Sequence, residues 1–413
     1  MVKGSGGLLL GATGARPWQS TNYRTPPPTM QNSASLGPLP VEAPDADLKR
    51  QARWVRRRVM RRVSKVRRMT ACGRSVRHGV AGVHRVEGDD GSRGSVAGVM
   101  VCGSIWSCPV CSAHIRAARA RELADAIAKH HGRGGSLLMV VLTLRHHRGE
   151  LLDDLVDGLQ AALSATFRGA PWARWRDRLG ILGRVTTREV TWGGDNGWHP
   201  HANLLMFLER PLTAAEAEEF DLWLSERWRS MVVRQGLQEP NDRRGCVLEV
   251  VGNDEAAGIY VGKLQESMSV PLEMTWVEAK RSGGLMPFDI LDAAGDGEAE
   301  ALSLWWEYEA ATHGRQCMTW SPGLRDRLEL GEEQTEEEIV AEHETSEETL
   351  LVTLTARDWH AVCDAGLDLE VVRAAEHPLG REVAREAVLA VVDEARRVTD
   401  NGRRRHAWRQ WRW

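Results

Sequence analysis

The residues best placed to do chemistry in this chain are His199, His201 and Asn203, in the run His199-Pro200-His201-Ala202-Asn203-Leu204-Leu205. Alternate residues of a strand point to one face, so all three side chains look at one region of space. The turn-forming stretch Gly193-Gly194-Asp195-Asn196-Gly197 folds the preceding segment, 183–192, back onto this strand as a hairpin. If that turn centres near Asp195, Glu189 falls opposite His201, with cross-strand Cβ atoms roughly 5 Å apart. A carboxylate then joins the row, whereas a slip of one residue would send Glu189 to the other face. Imidazole and oxygen donors together suit a divalent cation such as Mg2+ or Mn2+. The competing reading of a single strand histidine is an ordinary polar residue. Two histidines in step with an asparagine, followed by apolar Leu204 to Phe207, point to a metal site.

The chain has three tyrosines, Tyr23, Tyr260 and Tyr308. Tyr260 is followed at i+3 by Lys263, so on a helix capped by Asp254 the two share a face. A phenol with a pKa near 10 is a weak nucleophile at neutral pH, and a neighbouring ammonium favours the phenolate. A metal, a phenolic nucleophile and a cation are what attack on a DNA phosphate requires. Tyr308 sits in the aromatic run Trp305-Trp306-Glu307-Tyr308 and reads as a packing residue.

Cys108-Pro109-Val110-Cys111 is a CxxC knuckle, with Cys102 shortly before it and Cys72 further upstream. Four thiolates make a closed tetrahedral zinc site. Cys72 is the expected fourth ligand, with His78 and His114 as substitutes. Cys246, Cys317 and Cys363 read as small buried residues. Seven unevenly spaced cysteines do not form a disulfide framework, which favours a reducing cytoplasm.

A net charge of −3 over 413 residues conceals strong asymmetry. From Lys49 to Arg68, 11 of 20 residues are basic and none is acidic. Arg56, Arg57, Arg58, Arg61 and Arg62 are therefore candidate DNA contacts, above an apolar helical stripe of Val55, Val59, Val63 and Val66. In the segment 332–348 the charge is almost wholly negative, and the tail 403–413 mixes arginine with tryptophan. No apolar run approaches the ~18 residues of a membrane span, and the N-terminus lacks a signal-peptide pattern.

These features divide the chain into a disordered arm (1–48), a basic helix with a Cys-rich zinc module (49–131), a catalytic domain (132–330), an acidic linker (331–349) and a small helical region with a basic Trp-rich tail (350–413). Within the catalytic part, strands are expected at 137–144, 183–192, 199–208 and 246–251. Helices are expected at 112–130 (opened by Ser112), 150–168 and 213–233. This alternation is that of an α+β domain with an antiparallel sheet.

The ordered set of motifs resembles the rolling-circle replication initiator proteins of actinobacterial plasmids, within the HUH endonuclease superfamily. The matching residues are Cys102-Gly103 through Cys108-Pro109-Val110-Cys111, Leu142-Thr143-Leu144-Arg145-His146 and Gly197-Trp198-His199-Pro200-His201. Tyr260-Val261-Gly262-Lys263, Trp306-Glu307-Tyr308-Glu309 and Thr319-Trp320-Ser321-Pro322-Gly323-Leu324 complete the set. It spans about residues 70–330. The resemblance implies a five-stranded antiparallel palm flanked by helices, with the histidine motif on a central strand and Mg2+ or Mn2+ at the scissile phosphate. It implies Tyr260 as the nucleophile, nicking at the double-strand origin and leaving a 3′-OH primer. It also implies plasmid origin DNA, duplex and single-stranded, with host helicase and DNA polymerase as partners. The chain departs from the family pattern His-Pro-His-x-His at Asn203. It also carries Ala256 where some relatives place a glutamate one turn before the tyrosine, with Glu255 one residue away. A transposase or relaxase on the same core, or a non-catalytic DNA-binding regulator, are the competing readings.

Overall fold

A computed structural model of the protein describes residues 46–88, 91–251, 284–341 and 349–410. In chain order its elements are α1 (Ala46–Val63), α2 (Arg67–Ala71), β1 (Val80–Gly88), β2 (Gly91–Ala97), α3 (Pro109–Gly132) and β3 (Ser136–Thr143). There follow α4 (Leu152–Thr166), α5 (Gly169–Leu179), β4 (Ile181–Gly193), β5 (Gly197–Leu208), α6 (Ala214–Arg234) and β6 (Cys246–Val251). After residue 283 come α7 (Pro287–Gly295), α8 (Ala299–Thr312), β7 (Met318–Trp320), α9 (Leu324–Arg327) and α10 (Glu336–Ala341). The last elements are β8 (Leu350–Thr355), α11 (Ala356–Ala365), α12 (Asp368–Ala375) and α13 (Arg381–Gln410).

The α+β class and the antiparallel sheet are as expected. Five strands pair in the order β6-β3-β5-β4-β7, all antiparallel. β3 and β5 are apolar on both faces because both faces are covered. Leu138, Val140, Leu142, Leu204, Met206 and Leu208 face the larger core, while Leu137, Met139, Leu205 and Phe207 face a smaller one built with Leu123 and Ile127 of α3. Each such fully buried Leu or Phe side chain contributes about 1.5–3 kcal/mol relative to exposure. α6 begins at Thr213, whose hydroxyl accepts from the Glu216 amide while the Glu216 carboxylate accepts from the Thr213 amide. This fixes where the helix starts, and so where Trp228 sits. The Trp228 ring is wholly buried and its Nε1 donates to the Thr143 carbonyl at 3.0 Å, tying α6 to the end of β3.

Several expectations need revision. α3 is capped by Cys108 rather than Ser112: the Cys108 Sγ accepts from the Cys111 amide and Pro109 occupies the first helical turn, where a missing N–H costs nothing. Part of the acidic 331–349 segment is helix α10, because Ile339 supplies an apolar residue that is buried in the main core. The C-terminal region is not wholly helical. β8 pairs with β1, Val352 opposite Val83, and completes a second sheet in the order β2-β1-β8. α11–α13 pack on this sheet around Trp359, Val371 and Val388, so the Cys-rich segment and the C-terminal region share one core. Val55 is exposed, and α1 buries Met60 instead.

Candidate active site

β4 and β5 pair with Glu189 opposite His201, the register set by a turn centred near Asp195. His199, His201 and Asn203 lie on the face of β5 that continues into Leu205 and Phe207, beyond the part covered by α3. His201 Nε2 is 3.1 Å from Glu189 Oε2, and Asn203 Nδ2 donates to Glu189 Oε1 at 3.2 Å. An ionised carboxylate only accepts hydrogen bonds, so Asn203 must present its amide nitrogen, not its oxygen, to Glu189. The departure at Asn203 thereby has a local role: it orients the carboxylate that sits against His201.

His199 is held from the other side. Its Nδ1 is 2.7 Å from His146 Nε2, and His146 Nδ1 is 2.9 Å from the Asn196 carbonyl in the hairpin turn. The His199 and His201 rings stack with centroids 5.3 Å apart. Burial, with His201 and His146 beside it, pushes the His199 pKa down to about 4, so the ring is neutral at physiological pH with a lone pair to offer. His146 is the site residue that the reading of the sequence did not assign. Its signal was present in the Leu142-Thr143-Leu144-Arg145-His146 motif. Once β3 pairs with β5, Thr143 opposite His201, the residues after Thr143 run beside His199.

The donors fit a hard divalent cation in part. Adjacent ligands of an octahedral ion bound at about 2.1 Å are about 3 Å apart, and His201 Nε2 and Glu189 Oε2 already stand at that separation. The histidine row does not bring a third donor to the same point: among the described residues, the group of three or more His, Cys, Asp or Glu ligand atoms that converges is formed by the cysteines.

Cys72, Cys102, Cys108 and Cys111 are all buried, with ligand atoms within 4.8 Å of one another. Three Sγ–Sγ distances are 3.7 Å. The edge of a tetrahedron with Zn–S bonds of about 2.3 Å is about 3.8 Å, so the cluster has the dimensions of a tetrathiolate metal site. Hydrogen bonds from the other three thiols push the Cys72 pKa well down, with Arg57 adding to the effect. His78 is exposed, and neither it nor His114 joins the group.

Tyr260, Lys263 and the Asp254 cap lie outside the described residues. Tyr308 is buried, donates its hydroxyl to the Trp106 carbonyl at 3.2 Å, and has its pKa driven upward by burial, so it is unsuited to act as a nucleophile. The five candidate DNA-contacting arginines separate. Arg56 pairs with Asp292, while Arg57, Arg58 and Arg61 all pair with the fully buried Asp368. Burial makes these pairings obligatory, because an unpaired charge away from water is costly. Four of the five arginines are thus engaged within the fold, and Arg62 is exposed, as are Lys65 and Arg67.

The chain is 33% identical over 355 residues to "Protein rep" of Streptomyces lividans, a match that covers 70% of this chain and 77% of that protein. It belongs to the Rep proteins of actinobacterial plasmids. A second match, 32% identical over 135 residues, is to the "Neomycin resistance protein" of Streptomyces cyanogenus and covers 27% of this chain and 31% of that one. No family model and no solved structure matches. No helix among the described residues is long and apolar enough to cross a membrane.

Proposed function

We propose that this chain initiates rolling-circle replication of a plasmid by nicking one strand at the origin through a covalent tyrosyl–DNA intermediate. The observation that supports it most is the His146–His199–His201–Glu189–Asn203 network on one face of a two-sided antiparallel sheet, in a chain of the Rep family. His201 and Glu189 would hold Mg2+ or Mn2+, with His199 turning in as a third donor when the ion binds, Asn203 orienting the carboxylate and His146 supporting the His199 ring. The chemistry that a divalent cation would supply there is withdrawal of charge from a phosphate oxygen.

Tyr260 Oη attacks phosphorus in line, a Tyr–O–P bond forms and the bond from phosphorus to the 3′ oxygen breaks. The phenolic proton is lost to solvent and the departing 3′ oxygen gains one, leaving a primer end. Lys263 favours the phenolate and offsets charge on the phosphate. The four-cysteine site holds zinc and is structural. Arg62, Lys65 and Arg67 contact duplex phosphates, and the tail 403–413 contacts single strand. Origin DNA is the substrate, and host helicase and polymerase extend the 3′ end.

The test is Tyr260→Phe on a supercoiled plasmid carrying the replicon's own origin, with Mg2+ and Mn2+. Nicking and covalently attached protein should both vanish. A phenylalanine variant that still nicks and still becomes attached to DNA refutes the mechanism.

A further inference from the structure

Three guanidinium groups meet one carboxylate at the back of the cysteine site. Arg57 NH2, Arg58 NH1 and Arg61 NH1 lie 3.2, 3.2 and 3.3 Å from the carboxylate oxygens of Asp368, whose side chain has no exposure. Among the described residues, that leaves two of these three positive charges without a carboxylate of their own. Arg57 is 5% exposed, and among the described residues neither its Nε nor one terminal nitrogen of Arg61 has a hydrogen-bond acceptor. Both guanidiniums pack against Gly73, the residue after Cys72, at distances that leave no room for a Cβ there. Arg61 Nε also donates to the Cys72 carbonyl at 2.7 Å, and Arg57 interacts electrostatically with Cys72 and Cys108.

The missing negative charge is in the thiolates. A divalent ion held by four thiolates carries two net negative charges, which equals the surplus around Asp368. We propose that Arg57 and Arg61 are charge-compensating partners of a metal tetrathiolate at Cys72, Cys102, Cys108 and Cys111, so that metal loading locks α1 and the C-terminal unit onto the cysteine module. The same peptide is gripped from the C-terminal side. Trp359 Nε1 donates to the Gly73 carbonyl at 3.2 Å and Cys363 Sγ approaches it at 3.6 Å. Asp368 itself opens α12, so the charge cluster joins three parts of the chain that are distant in sequence. Without the ion, the sulfurs no longer fix the Cys72–Gly73 peptide against which Arg57, Arg61 and Trp359 pack, so that grip loosens and Asp368 with its helix parts from α1.

The experiment uses the full chain, zinc-loaded and after chelator stripping under reducing conditions, with amide hydrogen exchange as the readout. Stripping should raise exchange at least tenfold in β8, α11 and α12, and leave β3 and β5 protected. Zinc affinity is then measured by competition with a chromophoric chelator. Groups that support metal ligands typically shift metal affinity by about 10–100-fold when removed. Arg57→Met should therefore weaken zinc tenfold or more, Arg57→Lys should recover part of the loss by keeping the charge, and the exposed control Arg397→Met should bind as wild type.

Unchanged exchange on stripping overturns the proposal, as does an Arg57→Met protein with wild-type zinc affinity. A chain that takes up neither Zn2+ nor Co2+ with a tetrathiolate absorption band also overturns it. If Arg57→Met fails to fold, the exchange comparison on the wild-type chain decides.

Discussion

The hydrogen bond from Asn203 to Glu189 can be inverted by one isosteric change, Asn203→Asp. Asn203 is 5% exposed and its Nδ2 lies 3.2 Å from Glu189 Oε1. The substitution replaces a donor with a second carboxylate at that distance. Two unit charges that close, at an effective dielectric constant of about 20, repel by about 5 kcal/mol. The pair can escape by taking up one proton, and at pH 7.5 protonating a carboxylate of ordinary pKa also costs about 5 kcal/mol. The two limits coincide. Since Glu189 is partly open to solvent, the expected loss of stability without metal is about 2–5 kcal/mol.

The pH dependence follows from the same exchange. The raised folded-state pKa means the folded protein binds a proton that the unfolded chain releases. The penalty is therefore absent below the unfolded carboxylate pKa and grows as pH rises through the folded one. A divalent cation between the carboxylates removes the repulsion, and at a hundred times its dissociation constant it restores about 2.7 kcal/mol. The assay is urea unfolding at pH 5.5 and 7.5, with chelator or with Mn2+. The variant should be much weaker than wild type at pH 7.5 in chelator, closer to it at pH 5.5, and should gain more than wild type from Mn2+. A variant as stable as wild type at pH 7.5 in chelator refutes the account of Asn203 as the donor that orients Glu189.

Further outcomes follow from the same network and the sheet behind it. His199 has its folded pKa near 4, below the usual imidazole value, so the unfolded chain takes up a proton that the folded chain refuses and stability falls as pH drops from about 6.5 toward 4. His199→Gln should flatten that loss in unfolding curves measured across the window, and an unchanged slope would contradict the burial of a neutral ring. Trp228→Phe keeps most of the ring but strips the Thr143 carbonyl of its donor. It should cost about 1–3 kcal/mol in thermal or urea unfolding, and a variant with wild-type stability would show that the carbonyl finds another partner.

Local features of the sequence carried the five-stranded sheet well. The Gly-rich turn specified the β4–β5 register, and period-2 patterning with an apolar continuation placed β5. The CxxC knuckle with its two upstream cysteines assembled as expected, since its ligand spacing is itself a local constraint. What escaped depends on partners far away in sequence. Nothing near Arg57 or Arg61 announces Asp368, so arginines that read as a DNA-facing coat turn out to be structural. Ile339 alone cannot reveal that an acidic stretch packs a helical turn against the core. His146 required knowing which strand β3 lies beside.

The pairing of β8 with β1 bears on how the chain is made. Val83 meets Val352 and Ala81 meets Leu354, so one side of β1 waits for residues synthesised about 270 positions later. At 5–20 residues per second a ribosome takes roughly 15–55 s to supply them. During that interval the β1–β2 hairpin presents a row of unpaired backbone groups, a template for any other extended segment. A cell making this protein must shield that edge until the C-terminal strand emerges. A message truncated before residue 350 would therefore release a chain whose first sheet is permanently open on one side.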